Sequence, residues 1–574
     1  MAKQRESSSN SEAKAHPIPF HLFAPYNEKV DLAGDWNDYQ PIPMTRDEKG
    51  VWRVEVDLPD GAYQYTFQVV SNTFYKRGQT VVVADPCTLQ VAGKPKQSIV
   101  TVKNGRSILT DYEWKHDDVA LPSNDQLVIY EMHLGDFRGG PGDTTHKDGT
   151  FDLLRTKLDH LQKLGINAVE LMPLNESGEN NWGYSQCSYY ALAVAYGTPD
   201  DFCRLVDECH GRGMRVIFDG VYNHMSGDAF LTQIDYSYWF YDKNPDEEDL
   251  QFGPKLNYEF YDEALDIWPA REYTINAITT WVREFHLDGI RFDMTRAIKY
   301  YELLSWFNDE AHKKAFGKPF FTIAEHLPQD PAITGVNGPI DTAWHDTFYR
   351  QLISTTLGVQ HDNHQPFVTS QLLEVMDGRN DGYDSPYDTI HYLNNHDLER
   401  VMYLLDTKTG HDIRGKFARA KLGASLLLTA PGIPMLWMGE EFGQDTKKLD
   451  DPQPLHWSLL KRQANADLFA HYQRLIDLRK TNPALYSDTF EILANDPTRA
   501  MIAYQRRSEG SVVMVAANLR PEPLGQFEIK NPVVENGRWN EVICGGQVET
   551  RDHTLTDSLD ASEVRIYVKA GDSR

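Results

Sequence analysis

Cysteine is scarce in this 574-residue chain: Cys87, Cys187, Cys203, Cys209 and Cys544 are the only five, odd in number and scattered. No CxxC or Cys/His spacing occurs, which argues against a disulfide-stapled scaffold and a zinc site and reads as reduced core thiols in a cytoplasmic protein. Apolar runs are short, none approaching the roughly 18 residues of a membrane helix. The N-terminal MAKQRESSSNSEAKAH has no apolar h-region, so neither membrane spanning nor ordinary secretion is expected. Positive charge is in deficit, with 57 Lys and Arg against 84 Asp and Glu and a net charge of −27. So acidic a surface repels nucleic acid phosphates and anionic lipid, whereas neutral partners such as sugars are unaffected. A GxGxxG after the first strand of the α/β region is also missing, which disfavours an open doubly wound nucleotide-binding sheet. There is no internal repeat, and no low-complexity segment beyond a Ser-rich tail.

What is present is a globular composition: 41% hydrophobic, 25% charged and 11% aromatic residues, including 12 Trp and 29 Tyr that suit cores and stacking surfaces alike. The length allows about four domains, fewer if one is an α/β barrel of 250 residues or more. Residues 1–16 read as a flexible tail. Over 17–104 short alternating runs such as VWRVEVDL (51–58) and YQYTFQVV (63–70), separated by Pro59-Asp60-Gly61, predict a small β-sandwich. Residues 105–125 read as a linker.

From 126 to 484 the rhythm becomes βα. Strand-like runs begin at LVIYEMHL (127–134), NAVELMPL (167–174), MRVIFDGV (214–221), GIRFDM (289–294), FFTIAE (320–325), IHYLNN (390–395) and PMLWMG (434–439). Amphipathic helices fall between them, including one over 151–165 and another over 200–213. Repeated βα units are best closed as a (β/α)8 TIM barrel. Residues 485–574 return to β patterning. The expected fold is therefore a central barrel flanked by N-terminal and C-terminal β-sandwich domains.

The polar residues fall at the C-terminal ends of the barrel strands. Asp219 ends one strand and is followed by Asn223 and His224, and Arg291 and Asp293 share one face of GIRFDM because strand side chains alternate. Glu325 ends FFTIAE, and His396-Asp397 follow YLNN. Each acid alone reads as a turn or helix cap, and His224 alone as a satisfied loop histidine. Four strand ends delivering acids to one rim point instead to a catalytic mouth, because clustered carboxylates cost stability unless function retains them.

DGVYNH, GIRFDMTRA, AEHLP and YLNNHD, in that order and with 74, 32 and 72 residues separating Asp219, Asp293, Glu325 and Asp397, resemble the four ordered regions of the α-amylase family, glycoside hydrolase family 13. The resemblance covers about residues 126–574. Residues 30–69 are similar to the glycogen-binding-type sandwich ahead of the barrel in branching enzymes, debranching enzymes and trehalose-releasing relatives. Carried over, the resemblance implies that Asp293 is the nucleophile, Glu325 the general acid/base and Asp397 the transition-state stabiliser. It also implies that Arg291 orients Asp293, Asp219 supports Arg291, His224 and His396 bond the sugar, and Tyr184 is its stacking platform. Glu325 must then hold a proton at working pH. Trp182, beside Gly183-Tyr184 at the barrel mouth, is a further sugar-contact candidate, and the insertion from Met225 to Pro269 is expected to wall the cleft. Trp36, Trp52, Tyr63 and Tyr65 of the N-terminal sandwich suit either a glucan surface or core packing. Asn223 lies in a segment that helps bind calcium in many α-amylases, but most relatives with this N-terminal module do not depend on calcium. No metal or cofactor is assigned.

The implied activity is retaining cleavage of α-glucosidic bonds in glycogen, starch or maltodextrins. YLNNHDLER is similar to the Asn-His-Asp pattern of hydrolytic members, and His326 stands where branching enzymes carry a second acid. The expectation is thus an α-glucan hydrolase acting on an α-glucan substrate, with a branching enzyme as the alternative. A trehalose-releasing or debranching hydrolase or a non-catalytic glucan-binding protein follows behind. Oligomeric state is not encoded in any motif.

Overall fold

A computed structural model describes residues 14–137, 149–178, 182–361, 369–449 and 453–570, so most of the expected tail lies outside the described residues. Eight parallel strands close a barrel: Ile129–Met132 (β1), Ala168–Leu171 (β2), Arg215–Gly220 (β3), Gly289–Phe292 (β4), Phe321–Ala324 (β5), Thr342–Trp344 (β6), Thr389–Tyr392 (β7) and Ile433–Trp437 (β8). Every residue in them is buried, since helices cover the outside and side chains fill the inside, and such strands read as continuous apolar runs. Seven of the eight are legible as such runs. The eighth, β6, has three residues, too few to show a period, yet it joins β5 to β7 and completes closure.

Local chemistry sets the helix ends. Thr198 caps Pro199–His210 and forms a capping box with Asp201, with proline in the first turn. The single helix expected over 151–165 is instead two, Phe151–Arg155 and Leu158–Leu164. At the break the Thr156 hydroxyl donates to the Leu153 carbonyl (2.7 Å), a local bond that competes with helix continuation. Gly165, at φ 100°, then ends the second piece in the left-handed region.

The N-terminal module is a sandwich. A three-stranded sheet built on His16–Phe23 and Val51–Leu58 faces a larger sheet around Gly61–Val70 and Gln97–Lys103. Trp52 and Tyr65 belong to its core, and the Trp52 indole donates to the Ala24 carbonyl at 2.9 Å. Trp36 and Tyr63 are partly buried and meet edge to face at 6.2 Å. This core continues into the barrel's own loops through Cys187, Ala191, Phe230 and Ile234. Hydrogen bonds reinforce the seam: Ser71 Oγ donates to the Gln233 carbonyl (2.7 Å), Thr73 Oγ1 to that of Thr232 (2.6 Å) and Asn27 Nδ2 to that of Ile234 (3.1 Å).

The segment 105–125 is pinned rather than free. Arg106–Ile108 adds to the N-terminal sheet, Tyr112 Oη donates to Asp207 (2.8 Å), and the Trp114 ring stacks on His286 at 3.8 Å. The C-terminal domain packs a six-stranded sheet against a two-stranded one. Buried arginines fasten it to the barrel: Arg419 Nη1 donates to the Leu519 carbonyl (2.7 Å) and Arg506 Nη1 to that of Thr429 (3.0 Å). All five cysteines are free; Cys187, Cys203 and Cys209 are core residues, whereas Cys87 and Cys544 are exposed, a correction to the reading of all five as core thiols. Among the described residues no helix is long and apolar enough to cross a membrane.

Candidate active site

Asp219 of β3 lies directly across the ladder from Arg291 of β4, and Asp293 and Glu325 immediately follow β4 and β5 on the same rim. The Arg291 guanidinium, fully buried, is divided among all three acids. Its Nη1 donates to Asp219 Oδ1 (2.6 Å) and Asp293 Oδ1 (3.0 Å), and its Nη2 to Glu325 Oε2 (2.6 Å). Its face lies over the Trp344 ring at 4.6 Å. Charges this deep persist only when paired, and the planar fork suits this task where an ammonium would not. Met294 takes a left-handed φ of 46°, strained for a residue with a side chain, and so aims its N–H at Glu325 Oε2 (3.0 Å).

Asp293 Oδ1 and Glu325 Oε2 are held side by side on the one Arg291 guanidinium. Burial pushes the proton affinity of Asp293 up, Arg291 opposes this, and the charges of Glu325 and Asp219 add to it.

A second chain of bonds runs beside the first. Tyr184 Oη donates to Asp219 Oδ2 (2.6 Å) and lies 2.8 Å from His396 Nε2, and the two rings stack 5.3 Å apart at 15°. Burial and Asp219 push the Tyr184 hydroxyl well up, so it stays a phenol. His396 Nδ1 is 2.6 Å from Glu131 Oε1, and its backbone N–H donates to Glu131 Oε2 (3.1 Å). Burial works to discharge His396, but Asp397 and Glu131 outweigh it and raise its pKa to about 9. His224 is the opposite case. Burial lowers it to about 4, and its Nε2 meets only the Tyr184 carbonyl (2.9 Å), so it is neutral with Nδ1 unprotonated.

Trp182, Tyr184, His224, Asp293, Glu325, His396 and Asp397 line one open pocket of about 360 Å³, with Phe252 of the 225–269 insertion and Lys448 after β8. Asp397 is half-exposed, 3.3 Å from His396 Nε2 and 3.5 Å from Lys448 Nζ. Partial burial raises its proton affinity, but His396, Lys448 and Arg291 hold it below the ordinary carboxylate range. Asp219 and Arg291 lie beneath the pocket floor. The structure therefore brings all nine expected site residues together.

Three participants are not among those nine. Glu131 of β1 and Glu170 of β2 face each other across the ladder inside the barrel, and Lys448 sits in a loop without a motif. Burial, and then the charges of Glu131 and Asp219, push Glu170 well up, which makes it a neutral acid. Their signal is present in the sequence: a lone acid in each of two otherwise apolar strands, LVIYEMHL and NAVELMPL. His326 is buried, with Nδ1 3.0 Å from Thr295 Oγ1, outside the pocket lining.

The surroundings of Asn223 do not fit calcium. His224 pairs with Lys255 across an isolated bridge, and the buried Lys255 ammonium binds Asp246 Oδ2 (2.6 Å) and the Ala297 carbonyl (2.6 Å). The other Asp246 oxygen carries Lys299 (2.7 Å), so a divalent cation there would meet two ammonium groups. Among the described residues no group of three or more His, Cys, Asp or Glu is placed to hold a metal ion.

Residues 132–274 match the family described as the catalytic domain of α-amylase, and residues 8–88 match carbohydrate-binding module 48, the isoamylase N-terminal domain. Asp293, Glu325 and Asp397 lie beyond the first match. The chain is 27% identical to a malto-oligosyltrehalose trehalohydrolase of Saccharolobus solfataricus, over 81% of this chain and 85% of that one. It is 26% identical to a 1,4-alpha-glucan branching enzyme of Nitrosomonas eutropha, over 91% of this chain and 74% of that one. In fold it is similar to a pullulanase from Anoxybacillus sp. LM18-11 complexed with maltotriose, with a TM-score of 0.78, 19% identity and 96% and 84% coverage. A putative α-amylase from Salmonella typhimurium gives a TM-score of 0.74 at 21% identity, with 96% and 97% coverage. A closed barrel with its acids gathered on one rim, a module of the matching type ahead of it and these relatives along most of its length show an α-amylase catalytic domain behind a carbohydrate-binding module 48, in a chain similar to enzymes of glycoside hydrolase family 13.

Proposed function

We propose that the protein is a retaining α-glucan hydrolase, with Asp293 as nucleophile, Glu325 as general acid/base and Asp397 as stabiliser of the transition state. The observation that carries this reading is the single Arg291 guanidinium that binds Asp293 with Nη1 and Glu325 with Nη2, which keeps the two carboxyls close. An inverting enzyme needs its carboxyls roughly 6.5–9.5 Å apart to admit a water, whereas retention needs them close. Asp293 attacks the anomeric carbon as the glycosidic C–O bond breaks, and Glu325 gives a proton to the leaving oxygen. Water then attacks the glycosyl-enzyme, returns a proton to Glu325 and frees Asp293.

Substrate binding follows from the same surroundings. Tyr184, backed by His396, is the platform under the sugar at the cleavage point, and Trp182 offers a second aromatic face. Neutral His224 lines the pocket and holds the platform loop through the Tyr184 carbonyl. Asp397, ionised and half-exposed, faces the oxocarbenium character that builds at the ring. Relatives named for malto-oligosyltrehalose and 1,4-alpha-glucan, a pullulanase of similar fold complexed with maltotriose, and the module 48 match support an α-glucan.

The branching alternative rests on similarity along 91% of the chain. Hydrolysis is favoured because His326, where the resemblance to branching enzymes would put a second acid, is bonded to Thr295 and is not part of the pocket lining. The test is incubation with amylose while proton NMR follows reducing ends and α-1,6 linkages together. Rising reducing ends without new α-1,6 signal support hydrolysis, and rising α-1,6 signal at constant reducing ends overturns it in favour of branching. Asp293→Asn and Glu325→Gln should each lower turnover by at least ~10³-fold. Turnover near that of the unmodified enzyme in either variant would remove that residue from its role.

A further inference from the structure

We propose that Glu131, buried on the first barrel strand, is a positioning residue that keeps His396 a doubly protonated imidazolium and thereby fixes Asp397 for the reaction. The hydrogen-bond pattern forces the charge state. Arg291 donates to Asp219, so Asp219 is an acceptor, and the one hydrogen of Tyr184 Oη is spent on it. His396 Nε2 faces that oxygen and Asp397 Oδ2, so it must donate. His396 Nδ1 faces Glu131 Oε1, whose other oxygen is occupied by the His396 backbone N–H. Both ring nitrogens therefore carry hydrogen. Imidazole is also the stronger base of the Glu131–His396 pair, so the proton belongs on the ring.

The groups facing His396 agree. Glu131 of β1 and Asp397 of its own loop are the acids that favour its charge, and Arg291 of β4 opposes it. Glu170 of β2 is a neutral acid and Tyr184 a neutral phenol. Three indole rings, Trp182, Trp344 and Trp437, pack around the His396 ring, which is buried apart from its edge on the pocket. Glu131, His396 and Asp397 form a row of alternating charge, negative, positive, negative, which offsets the imidazolium beside the developing oxocarbenium, with Lys448 on the far side of Asp397. A lone imidazolium there would repel it. Glu131 touches no pocket surface and acts only through His396.

The inference about the reaction rests on the proposed hydrolase reading, whereas the charge state of His396 does not, and the experiment separates the two. The full-length protein and its Glu131→Gln variant are labelled with ¹⁵N-histidine, and the imidazole nitrogens of His396, assigned with a His396→Gln control, are followed from pH 5 to 10. In the unmodified protein His396 should remain doubly protonated through pH 8. In the variant its titration midpoint should fall by two units or more. With maltoheptaose, kcat at pH 7.5 should fall about 10–100-fold with KM changed less than 3-fold, and most of the loss should be recovered at pH 5.5. A neutral His396 at pH 7.5 in the unmodified protein overturns the proposal even if the variant does not fold. A variant whose His396 titration and pH profile both match the unmodified enzyme overturns it as well. If neither protein cleaves maltoheptaose, the hydrolase reading fails while the nitrogen titration still decides the charge state.

Discussion

Glu440, directly after the Gly439 turn that follows β8, gives the chain a pH dependence of stability that can be worked out. Its carboxyl is buried; Oε1 accepts from Tyr472 Oη (2.8 Å), and Oε2 has no partner among the described atoms. Burial above all, with the charge of neighbouring Glu441, raises its pKa from the usual 4.5 to about 8, against the opposing pull of Tyr472 and Arg400. The folded state thus keeps a proton that the unfolded chain releases above pH 4.5. Where the folded state binds more protons, stability falls as pH rises, here across the window from 4.5 to about 8. At 1.36 kcal/mol per pH unit the loss by pH 7 is about 3 kcal/mol, and it nears 5 kcal/mol at pH 8. Glu440→Gln copies the protonated acid in shape and donor placement and removes the ionisation from both states. With an unfolding entropy of ~2 cal/mol/K per residue, the variant should melt about 2–4 °C higher at pH 7. The gap should close at pH 4.5. Paired melting curves at half-unit pH steps check this. A difference in melting temperature that stays constant from pH 4.5 to 8 would falsify the assignment of a buried, proton-holding Glu440.

Arg291→Lys keeps the charge but not the fork, so one ammonium must serve three acids and the contact with Trp344 is lost. Turnover should drop ~10²–10³-fold and the melting temperature should fall, since unpairing a buried charge costs about 3–5 kcal/mol; a turnover within threefold of the unmodified enzyme would refute the fork's role. On the acid side His224 and His471, each lowered to about 4 by burial, are neutral in the fold and charge only on unfolding. Their contribution is complete above pH 6.5 and disappears as pH falls to 4, by about 3 kcal/mol each at most. His471→Gln, which removes one of the two, should flatten the acid limb of the melting-temperature profile, and an unchanged limb would refute this.

Much of this architecture is legible in the sequence because buried parallel strands declare themselves as apolar runs, and because Asp219, Asp293, Glu325 and Asp397 break those runs at their ends. β6 escapes since three residues carry no periodicity. The break at Thr156 escapes because it depends on which carbonyl a hydroxyl chooses, not on hydrophobic spacing. Glu131 and Glu170 escape for a different reason: strand ends draw attention, while an acid in mid-strand reads as an exception until its partner across the barrel is known. The partner of Glu131, His396, is 265 residues away along the chain. Lys448 has no local signal at all, because its role depends on loop geometry that brings it to Asp397.

The core of the N-terminal module does not end at the module. Phe230 and Ile234, which it buries, belong to the same insertion that carries Phe252 to the pocket. The module is therefore a buttress for one wall of the cleft. Trimming the chain back to the barrel would strip the inner face of that wall and expose its apolar side chains. The shortened enzyme should lose the shape of its substrate channel, so a deletion experiment of that kind would not isolate any polymer binding by the module. Point changes on the module's outer aromatic faces are the cleaner way to ask what it binds.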